Sequence, residues 1–384
     1  MTDSSARLLS VRRFAEEAID PYAASWEMGT RFPRELVRAA ADVGLNGMFV
    51  PQSLGGWDLS QRDACDVIEI LSEYDLGATF SLIVHLNLTS ALMRADSRHL
   101  REFFGARLLS GSAVGAFCLT EPQSGSDAAS IQTSIIDDGD EVVVSGRKAW
   151  VTNGDGADVF HVYGRDPKLG ESWKAIRSVM VEKETVGVVI EKPPGTSGAN
   201  VMRTTTVSFD SCRVSNKNLF LPPGKAFPHA LAAIDAARIL VGAMGTGAGF
   251  KALKLAIDYA TEREQFGTRL SNFQGLRWKL AEVATGLVAG RSLTHEAAHC
   301  LDRGSEATTL AAMAKLFVGE NSVDAIGRCA QVMGAFGYSS GTSVERLWRQ
   351  ARMLSIIDGT SEIQREVVGR ALFEGAALSA LRTV

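Results

Sequence analysis

The hydrophobic period of this chain changes twice, and the two changes cut it into three bodies. Up to about residue 112 the apolar positions recur at helical spacing. From Val114 to about Leu221 they fall into short β-rich runs separated by turns. After Pro222-Pro223-Gly224 helical spacing returns and holds to the end. With 384 residues the chain has room for all three. The pattern predicts an α+β multi-domain fold: an N-terminal all-helical domain over 1–112, a middle β-barrel or β-sandwich over 113–222, and a C-terminal helical bundle over 223–384.

Local signals fill in these bodies. Phe14 to Ile19 has helical spacing that Asp20-Pro21 should stop, and Pro33 should open the next helix. Residues 61–73 read as an amphipathic helix and 79–93 as a buried one. Strands are expected at 141–146, 159–163, 178–181, 187–190 and 205–209. Four long antiparallel helices with short connections are expected at 226–262, 273–302, 306–333 and 362–381. Gly242, Gly245, Gly247 and Gly249 weaken the first of these, and close helix-to-helix approach would compensate.

Charge and composition exclude several function classes. A net charge of −4 leaves no basic footprint for nucleic acid. The weakly polar run 226–250 is broken by His229, Asp235 and Arg238, which argues against a membrane span. The N-terminus has no apolar core of signal-peptide type. Five cysteines without paired or metal-type spacing fit a reducing cytoplasm. His295 and His299 stand four apart, but they read better as a solvated face or a helix contact than as metal ligands.

Five stretches carry chemistry. In Ser355 to Gln364, Asp358-Gly359 reads as a loop end and Thr360 or Ser361 as the cap of a helix, so an acid can point into a cleft. Phe117 to Asp127 takes a strand into a polar loop whose N–H groups and hydroxyls suit a flat heterocycle. Trp150-Val151-Thr152-Asn153-Gly154 sets an aromatic and a hydroxyl at a strand end, able to wall one face of a ring. Arg263, ahead of Gln274, offers a forked cation suited to a diphosphate. Gln331 to Tyr338 runs a helix end into a glycine-rich loop able to approach a diphosphate by its backbone. Taken singly, each has a plainer reading: an N-cap, a surface turn, a buried tryptophan, a dipole-favoured arginine, a glycine-rich loop.

In series, Thr-Glu-Pro…Gly-Ser-Asp, Trp-Val-Thr-Asn-Gly and Gly-Thr-Ser-Glu-Ile resemble the acyl-CoA dehydrogenase family, over essentially the whole chain. The resemblance implies FAD held between the β domain and the C-terminal helices, with a neighbouring subunit contributing. It implies Phe117, Leu119, Thr120 and Ser126 along the isoalloxazine, with Trp150 and Thr152 on its other flank. Arg263, Gln274, Gln331, Gly334 and Ala335 match the positions for the diphosphate and adenosine, and Thr360 and Glu362 a further cofactor contact. Ser126, Asp235 and Arg238 match positions that meet the thioester's tail, and Gly359 lets substrate come close to the backbone. The family is typically a homotetramer, a dimer of dimers, and an electron-accepting flavoprotein is a further expected partner.

Asp358 matches the family's proton-abstracting base, where the usual residue is glutamate; its own N–H, with a flavin ribityl hydroxyl, would polarise the thioester carbonyl. The shorter side chain implies a loop moved forward, a shifted substrate or altered chemistry. Ala335 stands where a glycine is common. The substrate expected is an acyl thioester of CoA or of an acyl carrier protein. A flavin monooxygenase on the same fold and a flavin-binding protein without catalysis are the alternatives.

Overall fold

A computed structural model describes residues 3–29 and 31–373. The N-terminal body holds α1 (Asp3–Ala18), α2 (Asp20–Trp26), α3 (Arg34–Asp42), α4 (Gln61–Ser72), α5 (Leu76–Met93) and, after a π-helical turn, α6 (Ala106–Leu109). α1 ends at Ala18 as Asp20-Pro21 implied, and a new helix starts there at once: Pro21 sits in the first turn of α2, where its missing N–H is no loss. The helix expected from residue 79 starts three residues earlier because Asp75 caps it, Oδ1 accepting from the Ala78 N–H at 2.8 Å.

The middle body is one eight-stranded sheet: β1 (Gly115–Cys118), β2 (Ser134–Asp138), β3 (Glu141–Val151), β4 (Val159–Arg165), β5 (Ile176–Glu182), β6 (Val188–Ile190), β7 (Thr205–Ser215) and β8 (Leu219–Leu221). The order is β6-β7-β3-β2-β4-β5-β8, with β1 parallel beside β4. The sheet curls on itself. Val142 and Val144 of β3 share one core with Phe160 and Val162 of β4, and Phe160 meets Phe209 of β7 edge to face at 6.2 Å. Because side chains alternate along a strand, His161 and Tyr163 of β4 must face the other way, toward the helices.

The C-terminal body holds α7 (Ala226–Glu262), a small hairpin of β9 (Glu264–Gln265) and β10 (Thr268–Arg269), α8 (Gln274–Asp302), α9 (Thr308–Val332), α10 (Ala335–Tyr338), α11 (Ser343–Ala351) and α12 (Ser361–Phe373). The long helices are α7, α8, α9 and α12, but the connection from α9 to α12 is not short: residues 333–360 contain two further helices. The expected extension of the last helix to 381 lies, beyond Phe373, outside the described residues.

Helix α7 is the axis of the molecule. Its glycines are contact points: a Cβ on Gly242 would stand 2.6 Å from Thr294 Oγ1, and one on Gly247 would collide with the Glu69 carbonyl of α4. Its first turns, Ala226 and Ala230, pack on Leu119, Tyr163 and Ile176 of the sheet. Both α5 and α7 are long and apolar enough to cross a membrane, but each is mostly buried inside the protein.

Candidate active site

Asp358 occupies the short loop before α12 at φ = 52°, in the left-handed region that aspartate tolerates better than most residues. Three side chains hold the loop by its carbonyls. Arg238 Nε donates to the Asp358 carbonyl at 3.1 Å. Lys315 Nζ donates to the Gly359 carbonyl at 2.6 Å, and Gln364 Nε2 to the same oxygen at 2.8 Å. Gly359, at φ = 96°, is in a conformation that side-chain-bearing residues rarely adopt, and a Cβ there would press on Gln364 Nε2 at 2.9 Å. Thr360 caps α12, its Oγ1 accepting from the Ile363 N–H at 3.4 Å.

With the backbone so held, the Asp358 carboxylate itself has little company. Oδ2 is buried and has no hydrogen-bond partner among the described residues. Burial pushes the carboxyl up to about 6, against the pull of Lys315 and Arg238. Burial likewise lowers the Lys315 ammonium to about 8, with Asp358 opposing.

The acid lines a largely apolar cavity of about 80 Å³ between the helices and the sheet. Phe80, Ile83, Val84, Asn87, Leu88 and Ala91 of α5 form one wall, and His229, Ala233, Ile234 and Ala237 of α7 another. Phe117 of β1 with His161 and Tyr163 of β4 form the floor. The structure thus brings Asp358, Gly359, Asp235 and Arg238 into one neighbourhood. Asp235 and Arg238 are already engaged: they pair at 2.9 Å, and Asp235 Oδ2 accepts from Thr308 Oγ1 at 2.6 Å.

The β-domain residues form a second neighbourhood. The Ala149 N–H donates to the Thr120 carbonyl at 2.9 Å, so the loop after β1 and the end of β3 lie together. Trp150, at φ = 56°, stands 65 % exposed there. Thr120 and Thr152 are half-buried, Leu119 is buried, and Ser126 is exposed on the loop after β1. Asn153 is buried and ties this edge to α5, accepting from Ser81 Oγ at 2.6 Å and donating to the Ser81 and Gly115 carbonyls.

A third set lies far away. Arg263, Gln274, Gln331, Gly334 and Ala335 are all exposed at one end of the bundle, where Tyr259 stacks on Phe336 at 5.8 Å. Arg238 and Arg263 stand at points of the same helix roughly 37 Å apart, at about 1.5 Å of rise per residue. Glu362 is exposed at the start of α12 and pairs loosely with Arg365.

Four residues matter here that the sequence did not announce. Glu121 and Lys148 form a buried ion pair at 2.7 Å; Glu121 also accepts from the N–H groups of Gln132 and Thr133, and Lys148 also donates to the Leu119 carbonyl. Burial raises the Glu121 carboxyl, but Lys148 and these donors outweigh it and hold it below the usual range. Lys315 and Gln364 clamp the Asp358 loop. Lys148 lies 27 residues from Glu121 and Lys315 lies 44 from Gly359, so no local pattern announces those contacts; Gln364 is only five residues from Gly359, but nothing in the sequence says that its side chain turns back. His295 of α8 does serve as a helix contact, 3.3 Å from Glu69 of α4, whose carboxylate also takes Arg291.

Helices, then a curled sheet, then a bundle meet at a half-buried acid beside a largely apolar cavity, the layout of a three-domain enzyme with an acidic group facing its pocket. Sequence profiles agree along the whole length: acyl-CoA dehydrogenase, N-terminal domain matches residues 3–112, the middle domain 116–212, and the C-terminal domain 224–373. Acryloyl-CoA reductase (NADH) of Anaerotignum propionicum is 33 % identical over 366 residues, covering 94 % of this chain and 92 % of that protein. Among solved structures, butyryl-CoA dehydrogenase from Megasphaera elsdenii superposes with a TM-score of 0.91 at 28 % identity, covering 97 % of this chain and 99 % of that one. The prolyl acyl carrier protein oxidase AnaB does so with 0.89 at 27 % identity, over 97 % and 99 %. The chain belongs to the acyl-CoA dehydrogenase family, FAD-dependent oxidoreductases that act on CH–CH bonds.

Proposed function

We propose that this chain dehydrogenates an acyl thioester between its α and β carbons, with Asp358 as the base that takes the α-proton. The observation that carries the reading is a single atom. Asp358 Oδ2 is buried, unpartnered and beside a largely apolar cavity, and its carboxyl is tuned to about 6. A carboxylate with that affinity is ionised at neutral pH yet basic enough to accept a proton in a dry pocket.

The residues fit FAD. Trp150 is a large exposed aromatic beside the polar Thr120 loop, as a flat ring system needs. Arg263 supplies a fork for a diphosphate, and Gly334 has open space around the position a Cβ would take. In this reading Phe117, Leu119, Thr120, Ser126, Trp150 and Thr152 hold the ring end, and Arg263, Gln274, Gln331, Gly334 and Ala335 of a neighbouring copy hold the rest. When bound, FAD accepts the hydride that leaves the β carbon. The chain itself excludes water with α5 and α7, presents the thioester carbonyl to the Asp358 N–H, and receives the α-proton on Asp358. Arg238 and Lys315 hold the loop in place and favour the ionised acid.

Anaerobic mixing of the holoprotein with short acyl-CoAs tests this. Wild type bleaches the flavin absorbance; Asp358→Asn bleaching at the wild-type rate would remove Asp358 from the role. Asp358→Glu, with its longer reach, should change which acyl chains are used. An acyl carrier protein is the second candidate carrier, favoured by the likeness to AnaB; turnover on matched CoA and carrier-protein thioesters decides between them. A homotetramer, an electron-transferring flavoprotein as acceptor and a cytoplasmic setting complete the reading, the last supported by five buried, unpaired cysteines.

A further inference from the structure

The cavity under Asp358 has mostly apolar walls, broken by Asn87 of α5 and His229 of α7, and a floor that carries buried polar rings. His161 of β4 is 2 % exposed, and its Nε2 is buried with no hydrogen-bond partner among the described residues. Beside it, 4.4 Å between ring centroids, stands Tyr163, wholly buried, whose hydroxyl reaches His229 Nδ1 at 3.4 Å. Phe117 and Phe220 pack edge-on against His161. This is a costly arrangement for a pocket meant only for alkyl chain, because a buried polar atom without a partner gives up its solvation and gains nothing in return. A wholly apolar floor would do the alkyl task better.

We propose that this floor reads a hydroxyl on the acyl chain of the substrate, beyond the β carbon, with His161 as its contact and the Tyr163–His229 pair beside it. The inference rests on the thioester reading above and narrows it to a substrate class.

Two features fix the class. Burial keeps His161 and His229 neutral, their affinities for a proton below the ordinary histidine value. A carboxylate at the chain end would therefore meet no counter-charge among these residues, and an ammonium would meet none either. A neutral imidazole nitrogen is a donor in one tautomer and an acceptor in the other, and a hydroxyl can answer both. Strand alternation explains the placement: Phe160 and Val162 serve the core of the sheet, and the two residues turned outward between and beyond them, His161 and Tyr163, become the floor.

The test uses the FAD-loaded full chain and matched pairs of CoA thioesters, unsubstituted and ω-hydroxylated, at four, five, six and eight carbons. Calorimetry gives the dissociation constants, and anaerobic flavin bleaching is followed in parallel. At one chain length the hydroxylated partner should bind at least about tenfold more tightly, the value of one satisfied buried hydrogen bond. His161→Leu should bring that ratio to about one, and Tyr163→Phe, which deletes a single oxygen, should lower it in part while keeping the strand intact. Equal binding at every length overturns the proposal, as does a ratio untouched by both substitutions or failure to bind any of the thioesters. A hydroxyl preference that disappears in the variants, without bleaching of any thioester, upholds the floor and sinks the dehydrogenase reading instead.

Discussion

Asp358 is held in a left-handed backbone conformation by donors on three different helices, Arg238, Lys315 and Gln364. Such a conformation costs on the order of 1–3 kcal/mol and persists where the surroundings over-determine it. The result is a carboxylate aimed by its backbone and left unpartnered at its tip. Two consequences follow from its proton affinity of about 6. If Asp358 is the base, kcat/KM on an acyl-CoA should rise about tenfold per pH unit up to near 6 and level above it. A profile flat through that range would exclude the assignment. The second consequence concerns folding. In the unfolded chain an aspartate titrates near about 3.9, so folding raises the affinity and the folded state holds the proton longer. Stability from this site is fully present below about 4 and is lost as the pH climbs through 6. Asp358→Asn, which cannot ionise, should therefore melt higher than wild type at pH 7.5, the two converging near pH 4. A lower melting temperature for the variant at pH 7.5 would mean that Lys315 and Arg238 stabilise the charge more than burial opposes it.

The strand ends that carry the candidate flavin-facing residues are set by something no local pattern displays. Lys148 reaches back from β3 to the Leu119 carbonyl and Glu121, and Glu121 also gathers the N–H groups of Gln132 and Thr133. Removing one member of a buried pair leaves the other charge uncompensated, at about 3–5 kcal/mol. Lys148→Met should show that loss in urea titrations and release flavin more readily. Lys148→Met with Glu121→Gln should recover part of both; additive losses would show that the pair does not act as a unit. The elements themselves were legible where sequence period and punctuation agree. α7 runs over 226–262 as the period predicts, and its four glycines are where other helices touch it. β2, Ser-Ile-Ile-Asp-Asp, has two adjacent apolar residues and no alternation to announce it, and β8 is three residues long. One clamp on Asp358, Lys315, was illegible for a different reason. Lys315 sits in mid-helix among apolar neighbours, and only the three-dimensional path of residues 333–360 brings the Gly359 carbonyl to it. Likewise 159–163 read as a strand, but nothing in the strand says that one face meets a cavity.

Helix α7 spans the molecule, and the candidate cofactor residues divide between its two ends. Asp358, Phe117 and the Trp150 edge gather toward the first half, where Arg238 lies; Arg263, Gln331 and Gly334 gather at the far end. Along α7, Arg238 and the C-cap Arg263 are separated by 25 residues, roughly 37 Å of helical rise. On the reading proposed above, in which both sets hold one cofactor, that cofactor would draw on two chains of a two-fold pair, each lending its far end to the other's cavity. The exposed aromatics at that end, Phe266 at 94 % and Tyr338 at 81 %, are the kind of surface such a pairing would cover. Complementation distinguishes the two arrangements. Arg263→Ala combined with Gln331→Ala spoils the far end but leaves Asp358 intact; Asp358→Asn does the reverse. Each variant alone should be inactive. If the site is shared, a mixed dimer has one cavity with an intact acid facing an intact far end. Unfolding and refolding the two together in equal amounts, with FAD, should then restore activity at about a quarter of the sites, since half the dimers are mixed and half of each is whole. If each chain completes its own site, every cavity in the mixture carries one lesion, and activity stays at the level of the separate variants.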